Sequence, residues 1–316
     1  MSFSVMEKTP ASCKSWGTTP CPNFFLVGAA KSGTSSLYHY LSGHPQIFMS
    51  PIKEPHYFCH NELPTRFTGP GDEGFNFHIT RDLQSYQDLF SDATGYPVVG
   101  EASVYYLTFP ETANRIREVR PDARIVMVLR NPVDRAYSAY LHTRRDGRED
   151  LDFSAALAAE SQRRQQGYQP LWWYRQAGFY AASVQHYLSV FGAQHVQIFL
   201  YEDLQQTDRV MQKILHFLGA STQVKLDTRT RYNTSGRVKS RFWYNFFDHP
   251  NGVKELLKPL FPVTVREHLG QKAKAMTLQK ESIPMPLRKQ LRTEYQEDII
   301  NLQDVIGRDL SHWMEL

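Results

Sequence analysis

The stretch Phe24-Phe-Leu-Val-Gly-Ala-Ala-Lys-Ser-Gly-Thr-Ser-Ser36 decides how this chain of 316 residues is interpreted. Its first five residues, Phe24–Gly28, form a short apolar run that is typical of a strand buried on both faces of a sheet. Small residues follow, and apolar residues then recur at helical spacing from Leu37 until Gly43 ends the pattern. The stretch therefore predicts a buried strand, a tight loop and a helix that follows directly.

Further apolar runs along the chain predict the rest of a sheet. Val98–Gly100, Ile125–Leu129 and Val196–Leu200 each have the composition of a buried strand. The segments between them are long enough for helices such as Glu111–Val119 and Ala181–Phe191. This alternation predicts an α/β fold of three layers, in which helices flank a central, mainly parallel sheet.

The chain is expected to hold a single domain over residues 23–316, because no clear linker divides it. Residues 1–22 are polar, rich in Ser, Thr and Pro and without periodicity, which predicts a flexible lead-in. Residues 62–76 contain five Gly or Pro residues and are predicted to form a surface excursion. Near the end, apolar residues repeat every fourth position from Leu287 on a predicted helix that Gly307 terminates.

Composition and charge indicate a folded protein with an anionic ligand rather than a nucleic-acid partner. Hydrophobic residues make up 41% and charged residues 22% of the chain, which suits a globular core. The net charge of +4 is too small to require nucleic acid, yet basic residues cluster between Arg229 and Arg241. The three cysteines indicate neither a disulfide framework nor a cysteine-rich metal site. Because there is neither an apolar run of about 20 residues nor a secretory signal, we expect no membrane span and a cytoplasmic location.

The loop between Gly28 and Ser36 lies where backbone N–H groups and a helix dipole hold a phosphate, which makes the predicted fold P-loop-like. A nucleotide-hydrolysing loop reads G-x-x-x-x-G-K-[ST], but here Thr34 follows Gly33 and the lysine stands earlier, at Lys31. This position puts the ammonium beside the scissile end of a 5′-phosphate, and no usual site for a Mg²⁺-bound triphosphate is evident. We therefore predict a phosphate site without a metal. The alternative is a glycine- and serine-rich turn that binds nothing.

A second anion site is predicted at Arg130, directly after the strand Ile125–Leu129. Asn131 can cap the next helix and Pro132 can take its first position, so Arg130 lies at the carboxyl edge of the sheet. Ligands of open α/β sheets bind at that edge. An arginine suits bidentate phosphate binding, and Ser138 on the following helix is a candidate second donor. A surface arginine beside a capped helix is the alternative.

Four segments of the chain, taken in order, carry a family resemblance. They are GAAKSGTSSLYHYL at residues 28–41, KEPHYF at 53–58, RIVMVLRNPVDRAYSAY at 124–140 and YNTSGRVKSR at 232–241. With these segments the chain resembles the sulfotransferases that use 3′-phosphoadenosine 5′-phosphosulfate (PAPS). It is most similar to the bacterial enzymes and to the carbohydrate sulfotransferases that act on heparan sulfate. The resemblance spans most of residues 23–245.

The resemblance implies a role for each part of the two anion sites. The loop around the 5′-phosphosulfate would consist of Lys31, Ser32, Gly33, Thr34, Ser35 and Ser36. Arg130 and Ser138 would hold the 3′-phosphate, and a loop that closes over the nucleotide would contribute Arg237 and Lys239. PAPS carries phosphate at both ends of its ribose, so it needs two separated anion sites, and the sequence offers two.

Sulfuryl transfer also needs a general base that takes the proton of the acceptor hydroxyl. The resemblance implies Glu54, because an acidic residue before a His/Gln-aromatic-aromatic run often has this role in the family; a plain ion pair with Lys53 is the alternative. His56 is the rival base, since its unperturbed pKa is nearer neutrality, and it is otherwise a substrate or structural contact. Glu101, after a predicted strand, is expected to orient Lys31 or to line the acceptor site.

The resemblance as a whole implies an enzyme that makes a sulfate ester and 3′,5′-ADP from PAPS and an acceptor hydroxyl. The acceptor stays open among carbohydrates, lipids and natural products, including carrier-bound ones. Two other functions stay open as well. One is a nucleotide-dependent small-molecule kinase, which the displaced lysine disfavours, and the other is a non-catalytic module that binds PAPS.

Overall fold

The computed structural model describes residues 16–228 and 282–315, together with the backbone of residues 237–238 and 278–279. The strands of the main sheet are β1 (Phe24–Gly28), β2 (Ile47–Met49), β3 (Val98–Ala102), β4 (Arg124–Leu129) and β5 (Val196–Leu200). All five are parallel, in the order β2-β3-β1-β4-β5, so the predicted parallel sheet is confirmed. The sequence pattern missed β2, because a strand of three residues is too short to show a periodicity.

Helices cover both faces of the sheet. Those of the described residues are α1 (Thr34–Ser42), α2 (Leu83–Asp88), α3 (Thr112–Val119), α4 (Pro132–Arg145), α5 (Phe153–Gln165), α6 (Ala181–Phe191), α7 (Thr207–Leu218) and α8 (Met285–Ile306). The predicted helices α3 and α6 are confirmed, and α8 ends at Gly307 in the left-handed conformation, as predicted. A separate antiparallel pair consists of β6 (Arg237–Val238) and β7 (Leu278–Gln279).

Side chains of β1 alternate between two apolar cores, one on each face of the sheet. Phe25 and Val27 belong to the larger core, whereas Phe24 and Leu26 belong to the smaller one. All residues of β1 are buried, and burying each Phe or Leu side chain contributes about 1.5–3 kcal/mol. A strand buried on both faces needs helices on both faces, so the predicted three-layer, P-loop-like architecture is confirmed.

The order of the strands reverses at β1. From β1 the chain first builds β2 and β3 on one side, and then β4 and β5 on the other. The loops after β1 and β4 therefore lead to opposite sides of the sheet and leave a crevice at its carboxyl edge. That crevice is the usual ligand position in open α/β sheets, and it lies between the two predicted anion sites.

Residues 62–76 lie largely at the surface, as their Gly and Pro content predicted, but some of their side chains reach into the core. Phe67 and Asp72 within this segment are buried, and a 3₁₀ helix spans Glu73–Phe77. The Phe67 ring packs against that of Phe75, with centroids 5.8 Å apart. The segment is therefore part of the folded body, and its turns serve to bring side chains inward.

The described part of the predicted lead-in packs against the domain. Trp16 is buried, and its ring centroid lies 5.8 Å from that of Tyr86 and 6.2 Å from that of Phe90. Residues 1–15 lie outside the described residues, so a flexible lead-in and a domain boundary after residue 22 stay predictions. Cys21 is disulfide-bonded, which the low cysteine count did not predict, and Cys59 is a buried free thiol.

Candidate functional site

A cavity of about 950 Å³ opens beside the loops that follow β1 and β4. Its wall includes these residues from the sequence predictions: Lys31, Gly33, Thr34, Ser35, Ser36, Glu54, Arg130 and Ser138. Both predicted anion sites and the predicted base thus share one cavity, although they come from separate segments of the chain. Its volume lies at the upper end of the range for small-molecule sites, about 300–1,000 Å³.

Gly33 shapes the loop after β1. It stands at the N-cap of α1 with φ 91°, and a Cβ added there would lie 2.6 Å from Leu204 Cδ1. Only glycine suits both this left-handed backbone and this close contact. Because Gly33 has no side chain, no side-chain hydrogen bond caps the first turn of α1. The N–H groups of such a turn, together with the helix dipole, are what holds a phosphate at helix N-termini.

Lys31 lies at the bend of this loop in a left-handed conformation, with φ 70°. Its backbone carbonyl accepts a hydrogen bond from Arg130 Nη1 at 2.9 Å. Burial, with the charges of Arg145 and Arg130, lowers the pKa of the Lys31 ammonium to about 7. A bound anion would favour the charged form and reverse this shift. Ser32 is buried beside Lys31 rather than on the cavity wall, and its hydroxyl has no hydrogen-bond partner among the described residues.

Arg130 follows β4 at the position that the sequence predicts. Asn131 caps α4, because its Oδ1 accepts from the Val133 N–H at 3.0 Å, and Pro132 is the first helical residue. Ser138 lies two turns further along α4, is buried and lines the cavity. Arg130 and Ser138 therefore face the same space, as a site for one phosphate requires.

Three further residues lie at this end of the cavity, and two of them, Tyr201 and Arg288, belong to no recognisable sequence motif. The Arg130 guanidinium lies 4.6 Å from the centroid of the Tyr201 ring, which follows β5. Asp134 on α4 and Arg288 on α8 form an ion pair of 2.7 Å, and both line the cavity. Tyr201 could have been predicted to line the cavity from its position directly after a strand. Arg288 comes from a distant helix, and no sequence signal indicated it.

Glu54 enters the cavity from the segment between β2 and α2. Its φ is 66°, and its N–H donates to the Ala102 carbonyl at 2.8 Å, which ties the segment to the end of β3. The carboxylate pairs with Lys53 through Oε1, and Oε2 lies 3.4 Å from His56 Nε2. Burial alone would raise the pKa of Glu54, but Lys53 and His56 outweigh it and hold the pKa well below its usual value. Glu54 is therefore ionised at neutral pH.

His56 and Glu101 do not line the cavity, although both were predicted to contact substrate. His56 is fully buried, and its ring stacks on that of Tyr105 with centroids 4.4 Å apart. Burial lowers the pKa of His56, and Glu54 opposes the shift. Glu101 accepts a hydrogen bond from the Tyr86 hydroxyl at 3.0 Å, and burial raises its pKa to about 7. The structure thus brings His56 to Glu54, whereas it brings Glu101 to buried tyrosines rather than to Lys31.

Lys31, Glu54 and His56 share a backbone property. They are the non-glycine residues of the described chain with positive φ, at 70°, 66° and 53° respectively. Such conformations are uncommon outside glycine and cost about 1–3 kcal/mol each. They persist where the surrounding structure holds them, and they cluster at functional sites. Lys31 and Glu54 are the residues to which the family resemblance gives catalytic roles, and His56 is the rival base.

Apart from Lys53, which begins the segment KEPHYF, the wall beside Glu54 could not be predicted from sequence motifs. It comprises Lys53, Phe75, Tyr105, His142, Arg148, Gln169 and Leu171. Burial, with the charges of Lys31 and Arg145, holds the pKa of His142 well below its usual value. Among the remaining residues, His142 had a signal, because it lies one helical turn beyond Ser138 on the same face of α4. The others come together through tertiary packing.

The predicted loop over the nucleotide lies outside the described residues, which include neither the Arg237 side chain nor Lys239. Their contacts with a nucleotide stay predictions. Within the described ranges, no group of three or more His, Cys, Asp or Glu residues could hold a metal ion. In the same part of the chain, no helix combines the length and the apolar composition that crossing a membrane requires.

Comparison with known proteins agrees with the resemblance drawn from the motifs. The family model described as sulfotransferase domain matches residues 22–249. The crystal structure of a sulfotransferase from Alicyclobacillus acidocaldarius is 40% identical in sequence and has a TM-score of 0.75. This match covers 94% of the present chain and 100% of the bacterial one.

Curated relatives match over shorter stretches. The membrane-associated sulfotransferase kil1 of Dictyostelium discoideum is 32% identical over 119 residues, which are 38% of this chain and 22% of the relative. Bifunctional heparan sulfate N-deacetylase/N-sulfotransferase 2 of Bos taurus is 33% identical over 128 residues, 40% and 13% of the two chains. Carbohydrate sulfotransferase 15 of Mus musculus is 26% identical over 162 residues, 42% and 29% of the two chains. The chain spans less than a third of the length of each of these relatives.

Proposed function

The chain belongs to the sulfotransferase family, and on that premise we propose that it transfers a sulfuryl group from PAPS to an acceptor hydroxyl. The products would be a sulfate ester and 3′,5′-ADP. One observation carries the proposal: a single cavity is lined by the phosphate-type N-terminus of α1, by Arg130 and by an ionised Glu54. A place for the donor and a base for the acceptor are therefore available side by side.

In this proposal the two phosphates of the donor occupy the two anion sites. The 5′-phosphosulfate binds the turn at residues 31–36, and the 3′-phosphate binds Arg130 and Ser138. The hydrogen bond from Arg130 to the Lys31 carbonyl supports the arrangement, because it holds the two sites at a constant spacing. Tyr201 packs against the Arg130 guanidinium and gives the nucleotide an aromatic wall.

The transfer step requires three changes around the sulfur atom. The acceptor oxygen forms a bond to sulfur, the bond from sulfur to the 5′-phosphate oxygen breaks, and the acceptor proton moves to the Glu54 carboxylate. Negative charge then grows on the 5′-phosphate, where the Lys31 ammonium stabilises it. His56 lies behind Glu54 at 3.4 Å, so it acts on the base rather than on the substrate.

Lys53 makes Glu54 a weak base as the two side chains stand. A general base is most effective when its pKa is near the working pH. Movement of the Lys53 ammonium from Glu54 towards the sulfuryl oxygens would remove the main charge that lowers the pKa of Glu54. The same movement would neutralise the donor, so Lys53 would serve both reactants in one step.

A carbohydrate hydroxyl is the acceptor that we propose first. The name of one relative refers to carbohydrate, which supports a sugar as the acceptor. The name of another refers to N-sulfation of heparan sulfate, so it supports the sugar but not the hydroxyl, and an amino sugar belongs in the same assay. Lipid and natural-product hydroxyls, free or carrier-bound, belong in the same assay. No nucleic-acid partner is part of the proposal, and the cytoplasmic location expected from the sequence stays a prediction.

Two measurements test the proposed function. Without Mg²⁺, 3′,5′-ADP at about 100 times its Kd should stabilise the fold by about 2.7 kcal/mol in a thermal-shift assay. Radiolabelled PAPS incubated with N-acetylglucosamine and with fractionated host extract should give a labelled ester, and Glu54→Gln should give far less. Stabilisation by ATP with Mg²⁺ instead would favour a kinase. Binding of 3′,5′-ADP without transfer to any fraction would leave a binding module.

A further inference from the structure

Asp72 is a buried carboxylate on which hydrogen bonds from distant segments converge. Its Oδ1 accepts from Arg148 Nη2, from Gln169 Nε2 at 2.6 Å and from Trp172 Nε1 at 3.2 Å. Its Oδ2 accepts from the Gln169 backbone N–H at 3.1 Å, and its own carbonyl accepts from the Phe75 N–H at 2.9 Å. A buried charge is stable when it is paired and hydrogen-bonded in this way.

Asp72 and Trp172 do not line the cavity, but the other three residues that bond to Asp72 do. Arg148 and Gln169 bond to its carboxylate, and Phe75 bonds to its carbonyl. Tyr105 donates its hydroxyl to Gln169 Oε1 at 3.0 Å. We call Phe75, Tyr105, Arg148 and Gln169 the distal wall. Because these four residues come from four segments of the chain, Asp72 is the point that joins them.

Contacts continue from the distal wall to Glu54. The Tyr105 ring stacks on the His56 ring with centroids 4.4 Å apart, and His56 Nε2 lies 3.4 Å from Glu54 Oε2. Asp72, Gln169, Tyr105 and His56 are all buried. The chain of contacts between Asp72 and Glu54 is therefore continuous, and it runs along the cavity wall at Gln169 and Tyr105.

We propose that Asp72 is a positioning residue that holds the distal wall in place relative to Glu54 and so sets where the acceptor hydroxyl lies. This role rests on the proposed function. The anion sites at residues 31–36 and at Arg130 are assigned to the donor, so the part of the cavity beside Glu54 is left for the acceptor. The distal wall bounds that part with two aromatic rings and two fixed polar side chains.

An asparagine of the same shape cannot replace Asp72. It has one acceptor oxygen, so its amide group would face donors, and Arg148 would lose its charge partner. Gly69 shows how closely the carboxylate is packed, because a Cβ added at Gly69 would collide with Asp72 Oδ2. The residues that Asp72→Asn releases first are those of the distal wall.

Glu149 offers a matched control, since it is a second buried carboxylate in a similar network. It accepts from Arg163 Nη1 at 2.6 Å, from the Tyr174 hydroxyl at 3.0 Å and from the Leu151 N–H at 3.0 Å. None of these four residues lines the cavity. Glu149→Gln should therefore lower stability to a comparable extent, and it leaves every hydrogen bond between Asp72 and the distal wall in place, although Glu149 follows Arg148 in the chain.

Amide hydrogen exchange of the complete chain measures the local stability of the distal wall, and it does not depend on enzymatic activity. Asp72→Asn should speed amide exchange in residues 103–107 by about tenfold or more relative to Glu149→Gln, the factor expected for one lost buried hydrogen bond. Tyr105→Phe keeps the ring and removes only its hydroxyl, so it should give a smaller increase of exchange in residues 103–107. This variant tests the proposal if Asp72→Asn does not fold. Exchange no faster than in Glu149→Gln would overturn the proposal, whatever the activity.

Steady-state kinetics separate a positioning role from a loss of stability. With N-acetylglucosamine and 4-nitrophenol as probe acceptors, Asp72→Asn should raise the acceptor KM by about tenfold or more, and Glu149→Gln should leave it unchanged. The affinity for 3′,5′-ADP should stay within about twofold, because the side chains that bond to the Asp72 carboxylate, Arg148, Gln169 and Trp172, are not part of the anion sites. An unchanged acceptor KM would overturn the proposal. Failure of the wild type to bind 3′,5′-ADP would refute the proposed function instead, and the exchange result would still decide the role of Asp72.

Discussion

Binding of 3′,5′-ADP should weaken as the pH rises from 7 to 9, because Lys31 loses its proton in this range. The pKa of Lys31 is lowered to about 7, chiefly by burial. The charged fraction of a group with that pKa is about one half at pH 7 and about one hundredth at pH 9. If the phosphate binds only the ammonium form, the dissociation constant should rise about fiftyfold over this range.

The sign of the effect follows from which state keeps the proton. An anion beside the ammonium raises the pKa of Lys31, so the bound protein stays charged while the free protein loses its proton above pH 7. Binding at pH 8 therefore takes up nearly one proton, and affinity falls as pH rises. Glu54 and His142 do not add to the trend, since the pKa of each is held well below this window. The phosphates of the ligand are already ionised, because their second pKa is about 6.

Isothermal titration calorimetry in buffers of different ionisation enthalpy measures both the affinity and the proton uptake. Lys31→Met removes the titrating group, so its affinity should be weak and constant between pH 7 and 9. Lys31→Arg keeps a charge that does not titrate, so its affinity should be constant too. A constant wild-type affinity from pH 7 to 9, or the same slope in Lys31→Met, would refute the reasoning.

Three further predictions concern the other ionisable residues of the fold and site. Arg130→Ala should lower the affinity for 3′,5′-ADP by about 10–100-fold, because charge-assisted hydrogen bonds to the 3′-phosphate are lost. The affinity for 5′-AMP, which lacks that phosphate, should hardly change. Equal losses of affinity for the two nucleotides in calorimetry would contradict the placement of the 3′-phosphate. Glu54→Gln should lower the turnover of radiolabelled PAPS by about 10²–10⁴-fold and leave nucleotide binding intact. His56→Asn should lower turnover by a smaller factor. A larger loss of turnover in His56→Asn than in Glu54→Gln would make His56 the base. Glu101 has a pKa of about 7 in the fold against 4.5 ordinarily, so the folded state binds more protons between these values and stability should fall as pH rises through them, by about 3 kcal/mol. Urea unfolding at pH 5 and pH 8 should show this fall as the difference between the wild type and Glu101→Gln, because Lys31, His56 and His142, whose pKa values are lowered, contribute an opposite trend to both proteins. Equal pH slopes in the two proteins would contradict the prediction.

Local sequence patterns were sufficient for the elements that carry the anion sites. Phe24–Gly28 is apolar enough to be a strand buried on both faces, and Gly33 and Pro132 mark where two helices begin. These signals act over a few neighbouring residues, so tertiary packing does not change them. Lys31 and Arg130 could therefore be assigned to one edge of the sheet from the sequence.

The distal wall could not be predicted in the same way. Asp72 lies in a segment with the composition of an exposed loop, and its burial depends on donors such as Arg148 and Gln169, which are far away in the sequence. Glu101 shows the opposite error, because it was predicted to contribute to the site and is instead buried in the core. It comes after an apolar run, as a functional residue often does, but β3 continues through it and turns it into the core. β3 ends at Ala102, one residue after Glu101, so Glu101 lies within the strand rather than at the carboxyl edge where the cavity opens.

The strained backbone at the cavity indicates what the sheet does for the chemistry. Lys31, Glu54 and His56 together hold about 3–9 kcal/mol of backbone strain, which is comparable with the total stability of a typical domain, about 5–15 kcal/mol. The fold offsets this strain by anchoring both loops, since the Glu54 N–H bonds to the end of β3 and the Lys31 carbonyl bonds to Arg130 after β4. Because β3 and β4 both pair with β1, the same strand pairing that forms the sheet brings the base to the donor site.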